Sequence, residues 1–304
     1  MISPLHFALI LFVVVNWGLS FVVIHVGLVG VPPLLLAALR FAVAAFPLIW
    51  LIPRPKGVAW TWLAGYGICT GVIQFGVAFT AMNIGLSSGL ASLVVQMNAF
   101  FTVLLSSVLF SEKLHWNQWA GLTIAFLGIA LIGTTRDSSA TPLGLALILI
   151  AALGWAAANL IVKRVAQVHK GINLFAFAVH GNAYAPLPLL ALSLLLEGPA
   201  LDWSAATQLS FVSISSVVYL GLVATVICFG AWAFLIGKYS AGVIAPFSLL
   251  VPVFGMGFSA LLLNEEFSSL KLLAASLVVL GLLVNTFGSR IAYLRRTLYG
   301  GRYE

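Results

Sequence analysis

Residues 5–29 read LHFALILFVVVNWGLSFVVIHVGLV, 25 positions without a lysine, arginine, aspartate or glutamate. A bilayer core about 30 Å thick is crossed by about 20 apolar residues, so this run is long enough to span it. It shows no strand-like alternation, and lipid leaves a lone backbone no hydrogen-bond partner outside its own helix. Marking runs of the same kind, broken at charges, proline and glycine, adds nine more: 32–52, 58–84, 87–110, 116–134, 143–165, 172–196, 209–237, 240–263 and 268–289. The ten hold 239 of 304 residues, which leaves almost nothing for a soluble domain. Met1-Ile2-Ser3-Pro4 carries no basic segment ahead of the first run, so that run reads as a retained span and not as a cleaved signal peptide.

Composition agrees. Charged residues make up 7% of the chain, against about 25% in a soluble domain. Hydrophobic residues make up 62%, and the mean hydropathy is +1.15. A soluble enzyme, a disordered chain and a secreted disulfide framework are excluded. The net charge of +7 is not a nucleic-acid footprint, because the basic residues lie in short gaps between apolar runs without aromatic interleaving. Cys69 and Cys228 sit inside apolar runs and read as small buried hydrophobes. With a cytoplasmic N-terminus, the inner loops and tail hold Arg54, Lys56, Lys113, Lys163, Arg164, Lys170, Lys238, Arg290, Arg295, Arg296 and Arg302. The outer loops hold only Arg136 and Lys271. That bias places both termini in the cytoplasm. The acids Asp137, Glu197, Asp202, Glu265 and Glu266 then lie outside.

The halves, 1–137 and 138–304, echo one another. Trp17-Gly18-Leu19-Ser20 matches Trp155-Ala156-Ala157-Ala158 at an offset of 138. Ser87-Ser88-Gly89 matches Ser240-Ala241-Gly242, Glu112 matches Glu265 and Gly128 matches Gly281, all at 153; the extra residues fall mainly around Glu197–Thr207. Five spans per half is odd, so the halves enter the membrane in opposite senses, an arrangement that holds substrate between them near the midplane. The expected fold is all-α, ten transmembrane helices as two inverted five-helix repeats around a central cavity.

Asn16-Trp17-Gly18-Leu19-Ser20-Phe21, Ala38-Leu39-Arg40-Phe41, Phe110-Ser111-Glu112-Lys113-Leu114 with Trp119-Ala120-Gly121, and Asn264-Glu265-Glu266-Phe267 resemble the EamA family of the drug/metabolite transporter superfamily along essentially the whole chain. The resemblance implies an exporter of amino acids and related metabolites in a bacterial inner membrane. Its overall pattern is nearest the branch that exports aromatic amino acids.

A substrate of that kind needs amide and hydroxyl partners and an apolar wall, since an unpaired polar group in lipid costs several kcal/mol. Ser88, Ser92 and Gln96 recur every four residues, with Asn98 beside them; Gln74, Phe75 and Phe79 span little more than one turn. Trp17 and Trp155 are a matched pair, with Ser20, Phe21 and Asn159 nearby, and Thr225, Phe229 and Trp232 share the eighth run. These are the candidate cavity residues, although interhelical hydrogen bonding and interface belts account for such residues equally well. Trp60, Trp62, Trp116 and Trp119, at run ends, read as belt. Arg40 and His180 occupy related places (offset 140): a substrate contact or structural clamp for the first, with the clamp favoured, and a proton carrier or bonded core histidine for the second, with the core role favoured. His25 and Lys163 form another such pair. Glu112 and Glu265, at helix junctions, suit capping, and no acid lies deep in a run, which speaks against simple acid-driven antiport. Pro47, Pro186, Pro188, Pro246 and Pro252 are kink points, with Pro252 and Gly255 the preferred hinge.

Gly67–Gly71 and Gly85–Gly89 have the spacing of close helix contacts. The second also spells a serine-hydrolase elbow, but without the strand-turn-helix setting that motif needs. No Walker A sequence and no metal-ligand spacing occur, so neither cofactor nor metal is expected. A nucleotide-sugar or sugar-phosphate carrier would want several cavity cations, and an intramembrane enzyme would want paired catalytic groups at one depth. The partners expected are a small-molecule substrate and the lipid bilayer.

Overall fold

The computed structural model describes residues 2–134, 139–199, 203–204, 207, 209–239 and 241–299. Arg136, Asp137, Asp202, Ser240 and Arg302, and the division between 137 and 138, lie outside the described residues. The helices are α1 (Pro4–Leu28), α2 (Pro33–Ile49), α3 (Trp60–Asn83), α4 (Ser88–Phe110), α5 (Trp116–Gly133), α6 (Pro142–Val168), α7 (Leu174–Leu196), α8 (Phe211–Tyr239), α9 (Ala245–Leu263) and α10 (Ser269–Gly288). Among the described residues the only β pairing is an isolated bridge between Leu86 and Ala140. The protein is an all-α membrane protein. Nine of these helices are long and apolar enough to cross a bilayer. The remaining one, α2, has 17 residues, about 25 Å at 1.5 Å per residue. The expected run 32–52 is thus too long at its C-terminal end: Pro47 removes a backbone donor near the end of α2, and residues 51 and 52 fold back onto the Leu48 carbonyl.

Local chemistry starts and stops these helices. Ser3 Oγ accepts from the His6 amide ahead of Pro4, and Thr141 Oγ1 accepts from the Gly144 amide ahead of Pro142. Both are N-caps followed by a proline whose missing N–H costs nothing at that place. Ser87, the serine of the hydrolase-like pattern, caps α4 by accepting from the Leu90 amide. Ser111 and Asn264 end α4 and α9 in left-handed conformations, φ 55° and 53°.

The irregularities come in pairs. Helix α3 widens into a π-helical stretch at Ile68–Gly76 and α8 does so at Tyr219–Ile227. Helix α4 tightens to 3-10 geometry at Val95–Met97, and α9 opens with such a stretch at Ala245–Leu250. Pro252 stands where α9 returns to α geometry, and α7 breaks ahead of Pro186.

Small residues set the packing. A Cβ on Gly121 of α5 would lie 2.5 Å from the Gly281 carbonyl oxygen of α10, so only glycine permits that approach. Gly67 and Gly71 press α3 against Gly181 and Ala185 of α7. Gly18 meets Phe254 and Gly255, and Gly255 in turn receives Ser92, which joins α1, α9 and α4. The main apolar core is built on α2, α3, α4 and α6, with Leu36, Phe41, Phe79, Leu90, Met97 and Ile148 fully buried.

Candidate substrate site

Arg40 lies in the middle of α2 and is 2% exposed. Its Nε donates to Thr225 Oγ1 at 3.1 Å, and its guanidinium carbon stands 3.8 Å from the Phe75 ring centroid. Phe41 and Phe79 lie at 5.8 and 5.9 Å, a cation–π surround. Arg40 Nη1 is buried without a hydrogen-bond partner. Phe75 and Thr225 come from the two π-helical stretches. Thr225 Oγ1, while accepting from Arg40, donates to the Leu220 carbonyl five residues back at 2.8 Å.

Helix α1 docks on the same part of α8. Trp17 Nε1 donates to the Ala224 carbonyl at 3.1 Å, and Tyr219 donates its hydroxyl to Asn16 Oδ1 at 2.9 Å. The Trp17 ring packs on Phe229 and Trp232 at 5.0 and 5.1 Å. Three residues that touch Arg40, Phe41, Phe75 and Thr225, also line a cavity of about 20 Å³ together with Tyr66, Thr70, Phe175, Asn182 and Phe229 among others. It has room for about one water molecule. Thr70 is hydrogen-bonded to the Tyr66 hydroxyl, whereas Asn182 Oδ1 is buried there without a partner, and so is Gln74 Oε1 on α3.

Of the candidates named from the sequence, the structure gathers Trp17, Arg40, Phe75, Phe79, Thr225, Phe229 and Trp232 into one neighbourhood. Others bond to the carbonyls of their own helix or to a neighbouring helix. Ser20 Oγ returns to the Trp17 carbonyl, Ser92 Oγ to the Gly89 carbonyl, and Asn98 Nδ2 to the Val95 carbonyl. Gln96 Nε2 reaches the Ser248 carbonyl at 3.1 Å, joining α4 to α9, and Asn159 Nδ2 reaches Thr102 Oγ1 at 3.3 Å. Phe21 and Trp155 are half-buried against the main core. His180 Nε2 faces the Ile52 carbonyl at 2.8 Å, beyond the end of α2. Thr70, Asn182, Tyr66 and Phe175 were not singled out from the sequence. Asn182, an amide ten residues into the run 172–196, was the available signal.

The carboxylates hold helix ends. Glu265 accepts from the Ser88 and Gly89 amides at 2.8 and 3.1 Å, where the positive end of the α4 dipole favours an anion. Glu197 accepts from the Leu34 amide of α2 at 2.8 Å and from the Ser193 hydroxyl. Glu112 Oε1 meets Lys163 Nζ at 2.6 Å, and its Oε2 accepts from Ser106. Hydrogen bonding from Lys163 first, and from Ser106 next, holds the Glu112 carboxyl below the usual carboxylate range.

The profile of the EamA-like transporter family matches residues 5–134 and 142–287. The chain belongs to the EamA-like transporter family. This EamA-like protein is 40% identical over 284 residues to a probable amino-acid metabolite efflux pump of Escherichia coli (strain K12), covering 93% of this chain and 95% of that one. It is 41% identical to the protein of the same name from Salmonella typhimurium, covering 95% and 96%. A probable terminal-alkyne amino-acid exporter of Streptantibioticus cattleyicolor is 28% identical over 95% and 96% of the two chains. A crystal structure 22% identical shares the fold, with a TM-score of 0.61 over 95% of this chain and 99% of that chain. The EamA-like protein is therefore a multi-pass membrane transporter.

Proposed function

We propose that this protein exports amino acids and related metabolites, aromatic ones among them, across the cytoplasmic membrane by alternating access. The relatives at 40 and 41% identity, named for amino-acid metabolite efflux and aligned nearly end to end, carry the reading. The site supports it. One buried guanidinium suits a single carboxylate, and walls of phenylalanine suit an apolar side chain. A nucleotide sugar brings at least two negative charges, and Lys163, the other cation available to meet them, is engaged by Glu112.

The transporter is read as ten spanning helices in two inverted repeats, 1–137 and 138–304, with both termini cytoplasmic. The paired π-helical stretches, the paired 3-10 stretches and the related left-handed ends at Ser111 and Asn264 support that reading, as do the two segments matched by the family profile. No catalytic step belongs to it. A room of about 20 Å³ is far below the roughly 300 Å³ of a small-ligand pocket, so helices must separate to admit substrate. Non-α stretches mark hinges, and Pro252 with Gly255 sits at one. Efflux of labelled amino acids from proteoliposomes tests the function. Purified protein that accelerates the efflux of none of them ends this reading.

A further inference from the structure

We infer that Arg40 is the carboxylate anchor of the transported amino acid, with Asn182 facing its ammonium group. The inference rests on the export reading and gives it a chemical address. A charge in the middle of a membrane helix is costly unless it is paired, and removing one partner of a buried pair leaves that cost exposed. Yet no described carboxylate pairs with Arg40. Glu112 is held by Lys163, while Glu197 and Glu265 hold the amide ends of α2 and α4. Nor does a carbonyl cluster clamp it, since its one hydrogen bond runs from Nε to Thr225.

What surrounds Arg40 fixes its attitude and leaves a donor free. Thr225 holds one edge of the guanidinium plane and Phe75 covers a face, while Nη1 is buried and unpartnered. A planar donor held in place beforehand suits a carboxylate. Phe41, Phe75 and Thr225, which surround Arg40, also line the neighbouring cavity. On that same lining Asn182 Oδ1 is a buried acceptor without a donor. An orphaned cationic donor and an orphaned amide oxygen, linked by the shared walls of Phe41, Phe75 and Thr225, form the complement of a zwitterion bearing an apolar side chain.

The test compares an amino acid with its own amide, which keeps the ammonium and the side chain and loses the carboxylate charge. Proteoliposomes of the wild type are screened with the labelled proteinogenic amino acids. The one moved fastest is then competed with its unlabelled acid and amide. The wild type should prefer acid to amide by about tenfold or more. In Arg40→Gln, efflux should fall by about tenfold and the preference should shrink to within about twofold. Arg40→Lys retains the charge without the fork and decides the matter should the glutamine variant not fold; its preference should fall several-fold. Asn182→Leu should weaken acid and amide alike and leave their ratio unchanged. A wild-type ratio near one, or a ratio unaltered in either Arg40 variant, overturns the anchor while the export reading stands. Unaltered affinity in Asn182→Leu overturns the ammonium half. A wild type that moves no amino acid overturns both readings together.

Discussion

Thr225 uses one hydroxyl twice, accepting from Arg40 and donating to the Leu220 carbonyl inside the widened turn of α8. Thr225→Val keeps the shape and removes both bonds, leaving a buried charged donor unpaired. The expected loss is about 1–3 kcal/mol, read as a lower unfolding temperature in detergent; an unchanged temperature would show that the hydroxyl holds nothing. The ion pair of Glu112 and Lys163 makes a prediction about pH. Because the folded carboxyl titrates below its ordinary 4.5, the stabilisation is fully present above that value and disappears as the pH falls through the lower folded one. Melting curves of wild type and Glu112→Gln should therefore differ most at neutral pH and converge at the acid end. At this scale the sequence was partly legible. Trp17, Phe75, Thr225, Phe229 and Trp232 do meet. In the polar stripe, Ser92 turns back on the Gly89 carbonyl, Gln96 joins α4 to α9, and Ser88 gives its amide to Glu265 while its hydroxyl stays buried without a partner. A period of four places residues on one face and says nothing of whether that face meets a cavity or a neighbouring backbone.

Among elements, the glycine contact between α5 and α10 gives the sharpest test. Gly281→Val would drive a side chain into the Gly121 carbonyl and the Ala125 backbone, forcing the two helices apart. Loss of folded protein or a fall of several kcal/mol is expected. Gly257→Ala, where a Cβ meets nothing within 4 Å, should be neutral and serves as the control in the same unfolding assay. Helix positions were legible because charges, prolines and capping hydroxyls bracket the apolar runs. The end of α2 was not, since Trp50, Leu51 and Ile52 continue the apolar run into a turn. The π and 3-10 stretches were likewise hidden: they depend on what packs against the helix, and hydropathy is blind to hydrogen-bond register.

For the whole molecule, the excess of basic residues in alternate loops makes a claim that chemistry can check. With Cys69 and Cys228 replaced, Glu266→Cys should react with a membrane-impermeant thiol reagent in intact cells. Lys56→Cys should react only after the membrane is opened. The reverse pattern would invert the orientation. The tightness of the room lined by Phe41, Phe75 and Thr225 has a wider consequence. A membrane that stores energy as an ion gradient cannot tolerate a standing hole, and a passage wide enough for an amino acid would leak hydrated ions freely. With aromatic rings packed round Arg40 and room for about one water molecule next to them, this conformation offers no such hole at that place.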